Sequence, residues 1–202
     1  MSQIVLPLAP ASTGPARIVV GNANAHVAEA LVRPESWPFR TAVLLGPPRS
    51  GKSLFARRFA ESGHGEAVDD AHRIEETELF HRWNRAQEDG VPLLVVGGEP
   101  PWQIALPDLR SRLGAALQLE IGVPDEAMAA ELLQAHAERL GLLMGADATD
   151  YLVPRSGRSF ADLEKLVAAI DRLSLERKVP ATQSIWRAAL EEVQGPEEPR
   201  LL

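Results

Sequence analysis

The sequence contains no cysteine. Disulfide bonds and zinc sites with cysteine ligands are therefore excluded, and the composition is compatible with a reducing compartment. A basic excess is also missing, because 21 Lys and Arg stand against 28 Asp and Glu, a net charge of −7. Such a chain offers no positive field to the phosphates of a duplex, so we expect no direct and specific nucleic-acid interface.

Long apolar runs are missing as well, and none approaches the 18 residues or so that a membrane-spanning helix needs. The first residues have no basic region of the kind that opens a secretory signal, and Pro7 interrupts their apolar part. We therefore expect a cytoplasmic protein without membrane contact.

A phosphate-binding pattern is present. Ala42–Leu45 predicts a buried strand, which leads into the loop Gly46-Pro-Pro-Arg-Ser-Gly-Lys-Ser53 and then a helix. In such a loop Gly51 lets the backbone approach phosphates, Lys52 reaches the β and γ phosphates, and the Ser53 hydroxyl holds Mg²⁺. We expect ADP or ATP with Mg²⁺, bound by these residues together with Gly46, Ser50 and Leu54. An ordinary Gly/Pro turn, or a loop that keeps its shape without binding, is the alternative.

Two other segments complete the predicted nucleotide site. The short strand before Asp69-Asp70 predicts a carboxylate for the Mg²⁺ shell at Asp69 and one that orients water at Asp70. The same dipeptide is also an ordinary helix start. Asn22 or Asn24 is expected to cap an early helix, and this segment can wrap the nucleotide base. The alternative is a helix that only packs against the domain.

The chain divides by its patterns into four parts. Residues 1–16 predict a flexible tail, and residues 17–123 alternate strands and helices, including a strand at Arg17–Val20 and a helix at Arg73–Gly90 with Trp83 in the core. Residues 124–195 predict only helices, the first one capped by Asp125, and residues 196–202 a frayed tail. The pattern indicates an α/β nucleotide-binding domain followed by a helical lid.

These motifs together resemble the DnaA-type AAA+ ATPases, and within them the group of short regulatory homologues called Hda. The residues that carry the resemblance are Val19–Asn24, Gly46–Ser53, Asp69-Asp70, Leu79–Arg85, Pro100-Pro101 and Leu106–Leu113. With Gln3–Leu8 included, the match spans nearly the whole chain.

The resemblance implies a P-loop AAA+ core with a parallel sheet. The family's strand order is 5-1-4-3-2, but Ser62–Glu66 leaves room only for a turn where strand 2 belongs. Strand 2 lies at the edge, so we expect four strands. The resemblance also assigns Arg112 as an arginine finger that acts on ATP held by a neighbouring protomer; a surface arginine paired with Asp108 or a glutamate is the alternative.

Further assignments follow from the same resemblance. Arg158 would approach the nucleotide from the lid, one turn before Ala161, where the family places its arginine. Gln3, Leu6, Pro7 and Leu8 resemble the peptide that seats proteins on the replicative sliding clamp, although Ile4, Leu6 and Leu8 also alternate as a docked strand would. A homodimer is a further possibility within this group.

Several departures from the family predict slow hydrolysis of the chain's own ATP. Gly97-Gly98 stands where AAA+ enzymes place a water-positioning side chain, which leaves Glu99 as the nearest polar residue, and Arg49 occupies a loop position often taken by glycine.

The resemblance implies a regulator that binds adenine nucleotide, docks on the clamp and stimulates ATP hydrolysis on the DnaA initiator, which negatively regulates DNA replication initiation. A P-loop small-molecule kinase is one alternative, and a nucleotide-independent adaptor on the same scaffold is another.

Overall fold

The computed structural model describes residues 17–195. These residues form two compact units. The first comprises residues 20–128 and 159–161, and the second comprises residues 17–19, 129–158 and 162–195.

The first unit is an α/β domain. Its elements are α1 (Ala25–Leu31), β1 (Thr41–Leu45), α2 (Lys52–Glu61), β2 (Glu66–Val68), α3 (Glu76–Asp89), β3 (Leu93–Val96), α4 (Pro107–Ala115) and β4 (Leu117–Glu120). The strands form one parallel sheet in the order β2-β3-β1-β4. The predicted four-stranded sheet, lacking the family's edge strand, is confirmed.

Burial along the strands follows their places in the sheet. The central strands β1 and β3 are apolar and buried on both faces, as parallel strands covered by helices require. The outer strand β4 alternates instead, with Leu119 buried between exposed Gln118 and Glu120. Thr41 pairs with Leu93 and Ala42 with Leu117, so the carboxyl ends of these strands meet at one edge of the sheet.

The predicted strand at Arg17–Val20 is wrong, because these residues form no strand. Their apolar run is only three residues long, and a turn begins at Gly21 before further pairing can develop. Val19 is buried all the same, whereas Val20 is about half exposed. The apolar run therefore reflects the burial of Val19 and does not indicate a strand paired in the sheet.

A compact apolar cluster lies between the sheet and two helices. It joins Val43 and Val95 of the sheet to Leu79 and Trp83 of α3 and to Leu109 of α4, all of them buried. Because both helices contribute to one cluster, the backbone of α4 is fixed against α3.

The second unit is helical. It contains α6 (Ala146–Leu152), α8 (Gln183–Gln194) and the greater parts of α5 (Glu126–Leu140) and α7 (Phe160–Arg177), whose first residues belong to the first unit. The Oδ1 atom of Asp125 accepts a hydrogen bond from the Met128 amide at 2.8 Å, so the predicted cap of α5 is present. None of the helices within residues 17–195 is long and apolar enough to cross a membrane.

Candidate functional site

The phosphate-binding loop connects β1 to α2. Gly51 precedes α2 with φ of 88°, a left-handed conformation that glycine adopts without strain, and its absent Cβ would meet nothing. Arg49 also has a positive φ, 65°, which explains why glycine is the easier residue there. Gly51 thus stands at the position immediately before α2, where the backbone adopts a left-handed conformation.

The start of α2 presents unpaired donors to the loop. The first amide of the helix with a backbone acceptor is that of Leu54, which donates to Gly51 O at 2.9 Å. Within residues 17–195, the amides of Lys52 and Ser53 have no acceptor, and the buried Oγ of Ser50 has no hydrogen-bond partner. Unpaired amides at a helix N-terminus beside an unsatisfied buried hydroxyl fit the oxygens of a phosphate.

Lys52 lies across the same loop. Its Nζ donates to Gly46 O at 2.7 Å and to Pro47 O at 2.8 Å, which leaves one of its three donors. Burial lowers the pKa of Lys52 below that of a free lysine, and the negative charges of Glu99, Asp70 and Asp69 oppose that shift.

The three carboxylates that act on Lys52 come from the ends of two neighbouring strands. Asp69 and Asp70 follow β2, and Glu99 follows β3. Asp69 Oδ1 accepts from the Asp70 amide at 2.9 Å, and Asp70 pairs loosely with Arg73 at 3.8 Å. Within residues 17–195, no three His, Cys, Asp or Glu side chains are grouped to hold a metal ion by themselves. Mg²⁺ fits here only in its usual manner, with one or two carboxylates beside phosphate oxygens and water.

Gly97 and Gly98, after β3, are adjacent to the loop. Gly98 O accepts from the Gly46 amide at 3.1 Å. A Cβ at Gly97 would lie 2.5 Å from Leu45 Cδ2 and 2.8 Å from Trp102, whereas one at Gly98 would meet the His72 ring at 3.4–3.6 Å. The first glycine is therefore required by packing, and the second is not.

The two predicted base-contacting asparagines make bonds within the first unit. Asn22 Nδ2 donates to Val123 O at 3.1 Å, and its Oδ1 accepts from the Asp125 amide at 2.9 Å. Asn24 is buried, and its Oδ1 accepts from the Gly21 amide at 3.0 Å instead of from α1. Both side chains therefore fix the entry to α1, and their part in holding a nucleotide stays a prediction.

The structure describes three further predicted residues. Ser53 is exposed on the first turn of α2, and Leu54 follows it. Arg158 is exposed in the second unit, two residues before α7. Gln3, Leu6, Pro7 and Leu8 lie outside the described residues.

Arg112 lies on α4 and packs against α3. Its guanidinium carbon is 4.4 Å from the centre of the Trp83 ring and 4.8 Å from that of Phe80, and its Nη1 donates to Asn84 Oδ1 at 2.9 Å. Sequence reasoning placed Trp83 in the core, where it lies, but missed Phe80 and Asn84 as contacts of the arginine. Their i, i+3, i+4 spacing on one helix face was the available signal.

Glu76 is a second residue that the sequence did not single out. Its two carboxylate oxygens accept from the amides of Ala105 at 2.9 Å and Leu106 at 2.6 Å, just before α4 begins. These bonds, with the field of Arg110, lower the pKa of Glu76. Glu76 thus attaches the start of α4 to the start of α3.

Comparison with known proteins finds a match to a family model and similarity to solved structures. Residues 125–183 match the family model described as the lid domain of Hda. The fold is similar to domain III of the replication initiation protein DnaA from Thermotoga maritima, with a TM-score of 0.71 and 14% identity over 88% of this chain and 95% of that one.

Two further solved structures are similar and were determined with nucleotides. The replication initiator DnaA bound to AMPPCP and single-stranded DNA gives a TM-score of 0.60 at 16% identity, over 79% of this chain and 66% of that one. The FIGL-1 AAA domain in complex with ADP gives 0.59 at 16%, over 94% and 87%. At these identities the likeness establishes the fold. The chain is thus similar in fold to the AAA domains of DnaA and FIGL-1, and its residues 125–183 are similar to the lid of Hda.

Proposed function

We propose that the chain is a regulatory AAA+ protein that binds ADP or ATP, docks on the replicative sliding clamp and stimulates ATP hydrolysis on the DnaA initiator. The outcome is negative regulation of DNA replication initiation. The match of residues 125–183 to the lid of Hda is the single observation that supports this proposal most directly.

The nucleotide-binding part of the proposal rests on the loop. The amides at the start of α2, the Ser50 hydroxyl and Lys52 would hold the phosphates, while Ser53 and Asp69 would hold Mg²⁺ beside them. A bound Mg²⁺ neutralises phosphate charge. Asp70 is the residue proposed to orient water, and the small Gly98 supports slow hydrolysis of the chain's own nucleotide.

The regulatory part rests on Arg112. An arginine that contacts the phosphates of a neighbouring ATP stabilises the charge of the transition state and is worth roughly 10³ to 10⁵ in rate. Arg112 has a planar group with five donors, of which the described residues engage one. In this proposal the chain therefore acts chiefly as an activator of its partner's hydrolysis.

The kinase alternative needs a basic pocket for a phosphate acceptor in the helical unit. Three of the arginines there are engaged within the unit: Arg139 with Glu164, Arg155 with Tyr151, and Arg172 with Glu176 and Glu192. Such pairing disfavours the kinase. The adaptor alternative is tested by titration calorimetry with ADP, which should detect binding to the wild-type chain if the proposal is right.

The test of the regulatory role is ATP hydrolysis by DnaA with clamp loaded on DNA, measured with and without this chain. The wild type should accelerate hydrolysis, and Arg112→Ala should reduce the rate to near that of DnaA alone while keeping ADP and clamp binding. Arg110→Ala is the matched control, since Arg110 is exposed two positions away and lies by Glu76 and Trp102 rather than on Phe80 and Trp83. Loss of ADP binding in Arg112→Ala would instead place Arg112 in the chain's own site and refute the role in trans.

A further inference from the structure

The guanidinium of Arg112 is held by three side chains of α3: Phe80, Trp83 and Asn84, here called the α3 clasp. The two rings contact the guanidinium through their faces, at 4.8 and 4.4 Å, and Asn84 accepts from Nη1 at 2.9 Å. Trp83 is buried, and Phe80, Asn84 and Arg112 are half-buried. These contacts hold the end of an otherwise flexible side chain against α3.

The clasp leaves part of the arginine available. A guanidinium has five donors, all in its plane. Asn84 engages one donor, and no other residue between 17 and 195 accepts a hydrogen bond from Arg112. The remaining in-plane donors match the oxygens of a phosphate, which guanidinium groups bind through two parallel hydrogen bonds.

The backbone beneath Arg112 is held by the same helix. Glu76 accepts from the two amides just before α4, and Leu109 and Leu113 of α4 are buried in the cluster that contains Leu79 of α3. Contacts with α3 therefore hold both the backbone of α4 near Arg112 and the Arg112 guanidinium. Arg110 is exposed on α4, and within residues 17–195 it makes no side-chain hydrogen bond, ion pair or cation–π contact with the clasp residues.

We propose that Phe80, Trp83 and Asn84 are positioning residues that preorganise Arg112 for the phosphates of the partner's nucleotide. The inference rests on the proposed function and adds to it a specific role for α3. A donor that is already oriented needs no rearrangement at the moment of reaction, so its contribution appears in the rate of the chemical step. Docking of the two proteins does not depend on it.

The test uses four variants of the full chain in the DnaA hydrolysis assay. Asn84→Ala removes the only polar contact of the clasp, and Phe80→Leu removes a ring while Phe80→Tyr keeps it. Arg85→Ala is the matched control, since Arg85 is exposed beside Asn84 and outside the clasp. We expect Asn84→Ala and Phe80→Leu to lower the saturated rate of partner hydrolysis about tenfold without changing the half-saturating concentration. Phe80→Tyr and Arg85→Ala should behave as wild type.

A partner-free measurement separates the two proposals. In the isolated chain labelled with ¹⁵N-arginine, the Nε–H signal that Arg112→Ala removes should shift in Asn84→Ala and in Phe80→Leu, but not in Arg85→Ala. If that signal is unmoved, the clasp does not hold Arg112 and the inference is overturned.

Wild-type stimulation by Asn84→Ala and Phe80→Leu, combined with loss in Arg112→Ala, would overturn the inference and leave the proposed function standing. Wild-type stimulation by Arg112→Ala itself would overturn both.

Discussion

At the scale of single residues, Lys52 combines partial burial with a positive charge, and burial lowers its pKa. Its hydrogen bonds to Gly46 O and Pro47 O show that the loop directs carbonyl oxygens at the ammonium group. A phosphate would replace neutral acceptors with charged ones. Hydrogen bonds to charged groups contribute about 1.5–3 kcal/mol each.

Lys52→Ala should therefore weaken ADP binding by about a hundredfold or more, if two such bonds are lost. The measurement is titration calorimetry with ADP, with thermal unfolding as a check on the fold. Arg57→Ala, an exposed cation on the same helix, is the control and should bind as wild type. Equal affinity in Lys52→Ala and wild type would refute the phosphate role of the loop.

Substitutions at the two adjacent glycines after β3, Gly97 and Gly98, should differ in their effect on stability. Gly97→Ala puts a Cβ within 3 Å of Leu45 and Trp102, and overpacking of this kind costs about 1–3 kcal/mol. We expect its melting temperature to fall by about 2–12 °C. The Cβ of Gly98→Asn would have the His72 ring as its nearest neighbour, at ordinary contact distance, so its melting temperature should stay close to that of wild type.

Gly98→Asn also introduces a polar side chain at the Gly97-Gly98 pair, where the family resemblance predicts a water-positioning residue. If the lack of such a side chain limits hydrolysis of the chain's own ATP, this variant should turn over ATP faster than wild type. Steady-state phosphate release measures it. An unchanged rate with unchanged stability would show that the slow step lies elsewhere.

At the scale of elements, α4 depends on Glu76 for the geometry of its start. The pKa of Glu76 is lowered in the folded chain, chiefly by the amides of Ala105 and Leu106. The bonds therefore stabilise the fold above the ordinary pKa of glutamate, and this stabilisation is lost as the pH falls through the lowered value.

Glu76→Gln should accordingly lower the melting temperature at neutral pH, and the difference from wild type should shrink as the medium is acidified. Thermal unfolding between neutral and acidic pH is the measurement. Glu78→Gln is the control, because within residues 17–195 the Glu78 side chain makes only an exposed i, i+4 pair with Arg82. A difference that is constant with pH would contradict the role of the Glu76 charge.

Part of the secondary structure could be predicted from the sequence. The apolar run Ala42–Leu45 located β1 to within one residue, and the short run before Asp69-Asp70 located β2, because Gly, Pro and charged residues end these strands. The Arg112 contacts could not be predicted, since Asn84 lies 28 positions away and a helical stripe does not reveal which neighbour covers it. The hydrogen-bond partners of Asn22, Val123 and Asp125, escaped prediction for the same reason, since they lie 101 and 103 positions away.

At the scale of the whole molecule, the proposed clamp contact lies in residues 1–16. Burying Leu6 and Leu8 in an apolar pocket yields about 3–6 kcal/mol in all, against the ordering of about six residues at 1–2 kcal/mol each. A single peptide should bind weakly, at micromolar concentrations, and several equivalent sites on the clamp would raise the apparent affinity.

A chain that starts at Pro15 should therefore fail to bind purified clamp in a pull-down while it still binds ADP. The double variant Leu6→Ala, Leu8→Ala should behave in the same way, and it keeps the tail's length. Retention of the clamp by the shortened chain would mean that the tail is not the docking element.

The sheet ends at β2, a strand of three residues that pairs only with β3 among the described strands. So short an edge is a poor template for another chain. The turn before it, Ser62–Gly65, therefore offers a place for protein engineering. Gly63 faces open space, whereas a Cβ at Gly65 would lie 2.3 Å from Pro92 O. A fluorophore or a small reporter domain grafted after Gly63 would stand at the edge of the sheet opposite β4, where it leaves the phosphate loop and α4 unaltered.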